Sequence, residues 1–393
     1  MKKIIALTLV LVLILSGCGK SSAPVVEAPA LNGAVTEIAP TTLATEPTTE
    51  PTTVPTTEPE VYFDPLNGEI LDAPFDGRIY ASTVSNTYDA SIPHVGLYKA
   101  DLVMESFVNG SIVRCLALFS DLSDVEALGS TRSTRLMFND IATHYNAILT
   151  HAGGSSQCLK DANDRNLAHY NVDSLMRQGD PLAQELAYRD KDHPKQKYGE
   201  YNLFVKGAAV KPYAESQGVQ VSVMPETDYG LFFVEDGTPV NGEGADILTV
   251  TITYNKYIKD TKMVYDPQLG KYIYNQYNKQ MEDLITAEPE AFENVVVMFA
   301  DITANGIYQV ADFVSGGNGY YACGGKVIPI TWTCESETAP FRFFTEDGEP
   351  LPFGQGNTYI AITQPESKVV WEAVERAPVE TTAETTAETV SQG

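Results

Sequence analysis

The chain has 393 residues, 43% of them hydrophobic, with 52 acidic against 26 basic side chains and a formal charge of −26. That length leaves room for more than one domain and for sizeable cores. So large an acidic excess argues against nucleic acid or an anionic lipid surface as the partner of the folded body.

In chain order, Met1-Lys2-Lys3 opens a run from Ile4 to Leu15 that is apolar except for Thr8, followed by Ser16-Gly17-Cys18. A basic start, a short apolar core and small residues before a cut describe an export signal, and the run falls short of the roughly 18 residues a spanning helix needs. Residues 1–17 are therefore expected to be removed as a signal peptide. Leu15-Ser16-Gly17-Cys18 resembles the lipobox of bacterial lipoproteins, which implies a lipid on the Cys18 thiol and an extracytoplasmic chain anchored to the cell membrane. Palmitate-like acyl chains, at about 0.8 kcal/mol per buried CH2, make such an anchor stable when two or more are present.

Residues 18–60 are dominated by Pro, Thr and Glu, with near-repeats such as Thr45-Glu46-Pro47-Thr48-Thr49-Glu50-Pro51. Such a segment buries too little apolar surface to offset its ordering entropy, so it is expected to be a disordered stalk. In extended polyproline geometry, at about 3.1 Å per residue, it would reach on the order of 100 Å. A tail at 371–393, with Glu380-Thr381-Thr382-Ala383-Glu384, has the same character.

Between stalk and tail the fold class reads as α+β: an α/β domain at 61–215 and a mostly antiparallel β domain at 216–370. Apolar runs predict strands at 79–84, 102–108 and 112–119, the last two joined by the hairpin signal Asn109-Gly110. Met137, Ile141 and Tyr145 fall at i, i+4 and i+8, which predicts a helix over 133–145 with Ser133 as its cap. A buried strand follows at 147–151 and stops at Gly153-Gly154. The polar stretch 158–202 shows only a weak helical pattern around 175–188. Past Val240 the runs are short, β-branched and aromatic, as at 247–254, 295–299, 327–333 and 359–362, with turn signals such as Gly324-Gly325 between them.

Once Cys18 carries lipid, Cys115, Cys158, Cys323 and Cys334 remain, which permits two disulfides in any of three pairings. No Cys-x2-Cys spacing occurs and only five histidines are present, so no metal and no cofactor is expected.

The segments Gly96-Leu97-Tyr98-Lys99-Ala100-Asp101, Gly110-Ser111-Ile112-Val113-Arg114-Cys115, Gly129-Ser130-Thr131-Arg132-Ser133-Thr134-Arg135 and His151-Ala152-Gly153-Gly154-Ser155 resemble, in order, the YerB-like lipoprotein family. Gly316-Gly317-Asn318-Gly319-Tyr320 and Gly354-Gln355-Gly356-Asn357 are similar to that family's C-terminal domain. The resemblance implies a surface lipoprotein of unknown biochemical role. Two departures stand out: Glu200-Tyr201-Asn202-Leu203 replaces a Pro-His-Asn-Leu stretch, and Ser130-Thr131 replaces Pro-Val before Arg132.

Arg132 and Arg135, three apart at the expected helix start, present two guanidinium forks suited to phosphate or carboxylate, and Arg114 on a neighbouring strand could join them. Their bland alternative is pairing with Asp101, Glu105, Asp121 or Asp124. His151 ends a buried strand where ligands commonly sit, with Gly153, Gly154 and Ser155 beside it, yet no orienting acid or nucleophile elbow can be named. His144 reads as a surface or interface side chain. Asp161 with Asp164, and Asp190 with Asp192, read as solvated loop charge, and the tyrosines around 254–277 with Trp332 as packing pairs. The leading expectation is a non-catalytic module that binds a cell-wall polymer or an envelope protein. The alternative is an enzyme on phosphorylated wall-polymer precursors, since the layout of Asp101, Arg114, Arg132 and Arg135 is loosely similar to that of LytR-CpsA-Psr phosphotransferases.

Overall fold

The computed structural model describes residues 61–87, 94–193, 201–224, 227–254 and 256–375. The expected signal peptide, Cys18, the stalk and the tail from residue 376 lie outside them. Strands Leu102–Asn109 and Ile112–Phe119 form the hairpin, in register from Leu102 opposite Leu118 to Asn109 opposite Ile112. A register shift between Phe107 and Asn109 moves its loop to Gly110-Ser111, one residue beyond the expected turn. Gly110 adopts φ +51°, which a residue with a Cβ rarely takes in so tight a loop. Nearly every residue of both strands is buried, so the hairpin is covered on both faces, as in a central strand.

On one side the hairpin continues into Tyr80–Ser85 and then, in parallel, Ile148–His151 and His169–Asn171. Helix α1 (Leu136–His144) precedes Ile148–His151, and helix α2 (Ser156–Asp164) makes the crossover to His169–Asn171. On the other side, Leu102–Asn109 pairs in parallel with Thr358–Thr363, which pairs in parallel with Asn294–Phe299. Gly317–Cys323 and Lys326–Thr333 follow antiparallel. One mixed sheet of 13 strands thus passes through both halves of the sequence. The protein is mostly β, with five α-helices among the described residues, and one shared sheet crosses the expected boundary between an α/β half and an antiparallel half. The physical reason is Thr358–Thr363: its buried backbone must be hydrogen-bonded on both edges, and the partners available lie one in each half.

The polar stretch after α2 holds α3 (Val172–Arg177) and α4 (Pro181–Leu186), and α5 (Gly207–Ser216) follows it. Helix α4 starts as Asp-Pro dictates: Asp180 Oδ1 accepts from Leu182 N at 2.9 Å and Pro181 occupies a position needing no N–H. The four cysteines are all free and buried, so the two disulfides that the count permitted are not formed. His144 is a second correction: it is buried against Phe313 and Phe341, with Nδ1 2.7 Å from Ala339 O.

A six-stranded antiparallel sheet, built on Ile247–Tyr254, Tyr257–Asp266 and Lys271–Gln276, packs on the large one. Its last strand, Val369–Glu372, pairs with Ile247 to Val250 and so runs two residues into the segment expected to be tail. Along Tyr257–Asp266 burial alternates: Lys259, Thr261 and Met263 face inward, Ile258, Asp260 and Lys262 outward. Lys259 is therefore placed between the sheets, where its Nζ lies 2.7 Å from Glu105 Oε1. Thr261 Oγ1 donates to Glu105 Oε2 at 2.9 Å and Tyr274 OH to Oε1 at 3.2 Å, while Tyr359 OH and Asn86 Nδ2 also donate to this carboxylate. Nearby, buried His94 contacts Glu290 through Nδ1 at 2.8 Å and Ser85 O through Nε2 at 3.1 Å. Burial opposes charge on His94, but Glu290 and the Ser85 carbonyl outweigh it and raise its pKa.

Removing Glu105 while keeping Lys259 leaves a buried ammonium without its counter-charge. We expect Glu105→Leu to lose about 3 to 5 kcal/mol of unfolding free energy in urea titrations, and Glu105→Leu/Lys259→Met to recover part of it. A loss below about 1 kcal/mol in the single variant would show that the pair does not tie the sheets together.

Candidate functional site

The backbone at 131–134 is stitched to the end of Ile148–His151. Ala152 N donates to Arg132 O at 2.8 Å, Thr134 N to Gly153 O at 3.1 Å, and Ser133 Oγ to Ala152 O at 2.9 Å. Ser133 thus spends its hydroxyl on the strand end and does not cap α1, which begins only at Leu136 with Arg135 before it and no side-chain cap. The expected helix start at 133 is displaced by this competing bond.

His151 is fully buried, with Nδ1 2.7 Å from Gly153 O and Nε2 3.0 Å from His169 Nδ1. Because a carbonyl only accepts, Nδ1 carries the proton and Nε2 accepts from His169. Burial, followed by the neighbouring His169, pushes the His151 pKa down to about 3. Gly153 sits at φ +86° with its N–H on Asn171 Oδ1 at 2.9 Å. Gly154 packs so closely that an added Cβ would come 3.1 Å from Leu159. Ser155 caps α2 by accepting from Cys158 N at 3.1 Å. His151, Gly153 and Ser155 therefore organise a strand-to-helix junction through bonds to one another and to Thr134, His169, Asn171 and Cys158, with Gly154 packed against Leu159.

Arg135 is also turned inward: Nη1 donates to Thr134 O at 2.7 Å, the guanidinium lies 5.3 Å from the Tyr308 ring centre, and Nε is buried without a hydrogen-bond partner among the described residues. Burial holds its pKa below the usual arginine range.

Arg114 and Arg132 do share a cavity, of about 500 Å³, with Lys259. Its walls are Phe107, Tyr201, Tyr257 and Tyr277, and Arg135, His151 and the 153–155 residues are not part of its lining. Arg114 Nη1 donates to Ser133 O at 2.5 Å, and the Arg132 guanidinium stands 5.1 Å from the ring centre of Tyr201. The acids weighed as arginine partners are engaged elsewhere. Asp101 is bonded by Asn67 and Ser120, Glu105 by Lys259, Asp121 by Ser123 and Asp124 by Lys99. Among the described residues the lining holds no carboxylate, histidine or cysteine; it offers cationic side chains and aromatic faces. Thr87, also on the wall, has a buried hydroxyl with no partner among the described residues.

Sequence reasoning missed Lys259, Tyr201 and Thr87. Lys259 was the legible one: in a period-two strand it shares the face of Thr261 and Met263, so a lysine in the inward phase marks a partnered or functional charge. Trp332, Tyr272, Tyr274 and Tyr321 are core, whereas Tyr257 and Tyr277 reach the cavity. Asp161 is bonded by Arg165 at 3.0 Å and Asp164 by Lys160, beside an acidic cavity of about 410 Å³. No group of metal-ligating side chains occurs among the described residues.

Fold and site together define a mostly β protein with an aromatic-walled cavity, lined by Arg114, Arg132 and Lys259, at the seam of two sheets. Residues 67–220 match the N-terminal domain, and residues 250–360 the C-terminal domain, of the protein family of unknown function DUF3048, and the chain belongs to that family. It is 27% identical over 311 residues to the protein of Bacillus subtilis (strain 168) that bears the name lipoprotein YerB, covering 76% of this chain and 85% of that one. The crystal structure of YerB from Bacillus subtilis superposes with a TM-score of 0.63 at 24% identity, over 78% of this chain and 99% of that one, which shows a common fold.

The buried histidines make a signed prediction. Unfolded, His151 takes up a proton near its ordinary pKa; folded, it does so only near 3, so the unfolded state binds more protons and stability falls as pH drops through that window. The wild type is expected to lose, between pH 7.5 and 5, on the order of 2 kcal/mol more unfolding free energy than His151→Gln does. Parallel curves for the two proteins, measured by urea denaturation, would exclude a neutral buried His151.

Proposed function

We propose that this chain is exported, lipidated on Cys18 and held at the outer face of the cell membrane, where the folded body serves as a non-catalytic module binding an anionic component of the envelope. The name carried by the Bacillus subtilis relative and the Leu15-Ser16-Gly17-Cys18 motif support the address. The observation that carries the binding reading is the cavity in which Arg114, Arg132 and Lys259 meet the rings of Tyr201, Tyr257 and Tyr277. In a body with a large acidic excess, a cationic recess of this size is a selective place for an anion, and guanidinium forks set by backbone and ring contacts bind with little reorganisation. A cavity of a few hundred Å³ matches the usual range for small-ligand sites.

Two outcomes test this reading. Cys18→Ala should move the protein from the membrane fraction to the soluble fraction or leave its precursor unprocessed; retention of a lipid-free precursor with Cys18 intact would refute lipidation. In calorimetric titrations with pyrophosphate and with phosphate-bearing wall fragments, Arg132→Ala should weaken binding by about 1.5 to 3 kcal/mol while its melting curve stays that of the wild type. Equal affinities in the two proteins, or release of a cleaved product during incubation, would overturn the binding-module reading.

A further inference from the structure

Behind the wall of the cavity, between the two sheets, lies a cluster that the binding reading does not use. Lys259 is almost wholly buried, and its ammonium donates to Glu105 Oε1 at 2.7 Å, to Thr261 Oγ1 at 2.5 Å and to Tyr274 OH at 3.2 Å. Asn86, fully buried just beyond Tyr80–Ser85, reaches two of the same oxygens: its Nδ2 donates to Glu105 Oε1 and, at 2.8 Å, to Tyr274 OH. Its Oδ1 accepts from Gln276 Nε2 at 2.6 Å. A primary amine, a primary carboxamide and a carboxylate that touches both are thus sealed together. Two nitrogens on one acceptor oxygen stand within about 5 Å of each other.

We infer that Lys259 and Asn86 join in an intramolecular amide bond, with Glu105 as the proton carrier. The inference is independent of the anion-binding reading. Glu105 takes a proton from the ammonium, and the freed Nζ lone pair attacks Asn86 Cγ. The carbonyl electrons move onto Oδ1, where the Gln276 N–H meets the developing charge. Glu105 returns the proton to the carboxamide nitrogen, the old C–N bond breaks and ammonia leaves. The collapsing intermediate gives its remaining extra proton to Glu105, so an amide and a neutral acid replace the ion pair, and nothing is oxidised or reduced. Burial favours each step. Away from water an ion pair loses much of its advantage over a neutral amine beside a neutral acid. Two groups held on one carboxylate also react as if highly concentrated. Cys115, the rival nucleophile beside Asn86, is kept protonated because burial pushes its thiol well up. Gln276, the other amide of the layer, contacts Asn86, Tyr274 and Met281. The bond would fasten the end of Tyr80–Ser85 in the large sheet to Tyr257–Asp266 in the small one, and such a cross-link restricts the unfolded chain. Linked, Lys259 carries no charge, and Arg114 and Arg132 remain as the cations of the cavity wall.

The test is a tryptic peptide map, by mass spectrometry, of the full-length chain after prolonged incubation in its folded state. Cleavage at Arg78, Lys99, Lys256 and Lys262 should release a branched peptide in which residues 79–99 are joined to residues 257–262. It should be lighter than the two linear peptides together by about 17 Da, one ammonia, with the link placed on Asn86 and Lys259 by fragmentation. Lys259→Arg and Asn86→Ser should yield linear peptides alone. Glu105→Gln keeps both reacting groups and should slow linkage at least tenfold, whereas Gln276→Leu should slow it less. Linear peptides from the wild type, with Asn86 and Lys259 intact, overturn the bond, and this result decides the matter even where a variant fails to fold. Linkage in Glu105→Gln at the wild-type rate overturns the role given to Glu105.

Discussion

Glu105 and Lys259 are opposite charges sealed between two sheets, and the rest of the molecule is arranged to keep them there. Glu105 comes from the central strand Leu102–Asn109 of the large sheet, Lys259 from the inward face of Tyr257–Asp266 in the smaller one, and both side chains are almost wholly excluded from water. A buried pair of this kind adds little net stability, because desolvation consumes most of the Coulombic gain, but breaking it is costly. The pair therefore specifies more than it stabilises: any slip of one sheet over the other would strand a charge. Thr261, Tyr274, Tyr359 and Asn86 saturate the carboxylate with hydrogen bonds drawn from both halves of the chain, and His94 with Glu290 repeats the device a short way off.

The candidate site is a by-product of that constraint. Lys259 belongs to the clasp and also to the wall of the cavity, so the recess opens where the two sheets meet. Its other side is formed by the hairpin that carries Arg114 and by the 131–134 segment that carries Arg132, which the end of Ile148–His151 holds in place. The groups that looked most like chemistry, His151 with Gly153, Gly154 and Ser155, act one layer behind as the knot that fixes this segment. A carbonyl orients the guanidinium of Arg114 and an aromatic ring lies against that of Arg132.

Membership of a family without an assigned activity gives this arrangement its interest. The matched structure of YerB establishes that the fold is shared at 24% identity, and Tyr201 stands in this chain where the resembled pattern carries a histidine. Its ring lies under Arg132, so the difference falls on the wall of the cavity. A change from imidazole to phenol there alters the stacking surface and removes a group that titrates near neutral pH.

Local order was legible in the sequence. The 102–119 hairpin, the amphipathic helix ending near Tyr145 and the short apolar strands of the second half follow from periodicity and turn chemistry, which act over a few residues. The lipobox-like Leu15-Ser16-Gly17-Cys18 and the Pro/Thr/Glu composition that follows are likewise properties of contiguous residues, and what they imply remains a proposal. Tertiary structure alone decided the rest. That Thr358–Thr363 closes one sheet across both halves depends on which strands have unpaired edges, a matter on which local pattern is silent. That Ser133 bonds Ala152 and does not cap a helix, that the cysteines stay apart, and that Arg114 and Arg132 share a wall with Lys259 while Arg135 and His151 turn inward, are outcomes of competition between partners distant in sequence. Charges and hydrogen-bonding groups can be counted from the chain, but which of them are sealed together is fixed only when the sheets pack.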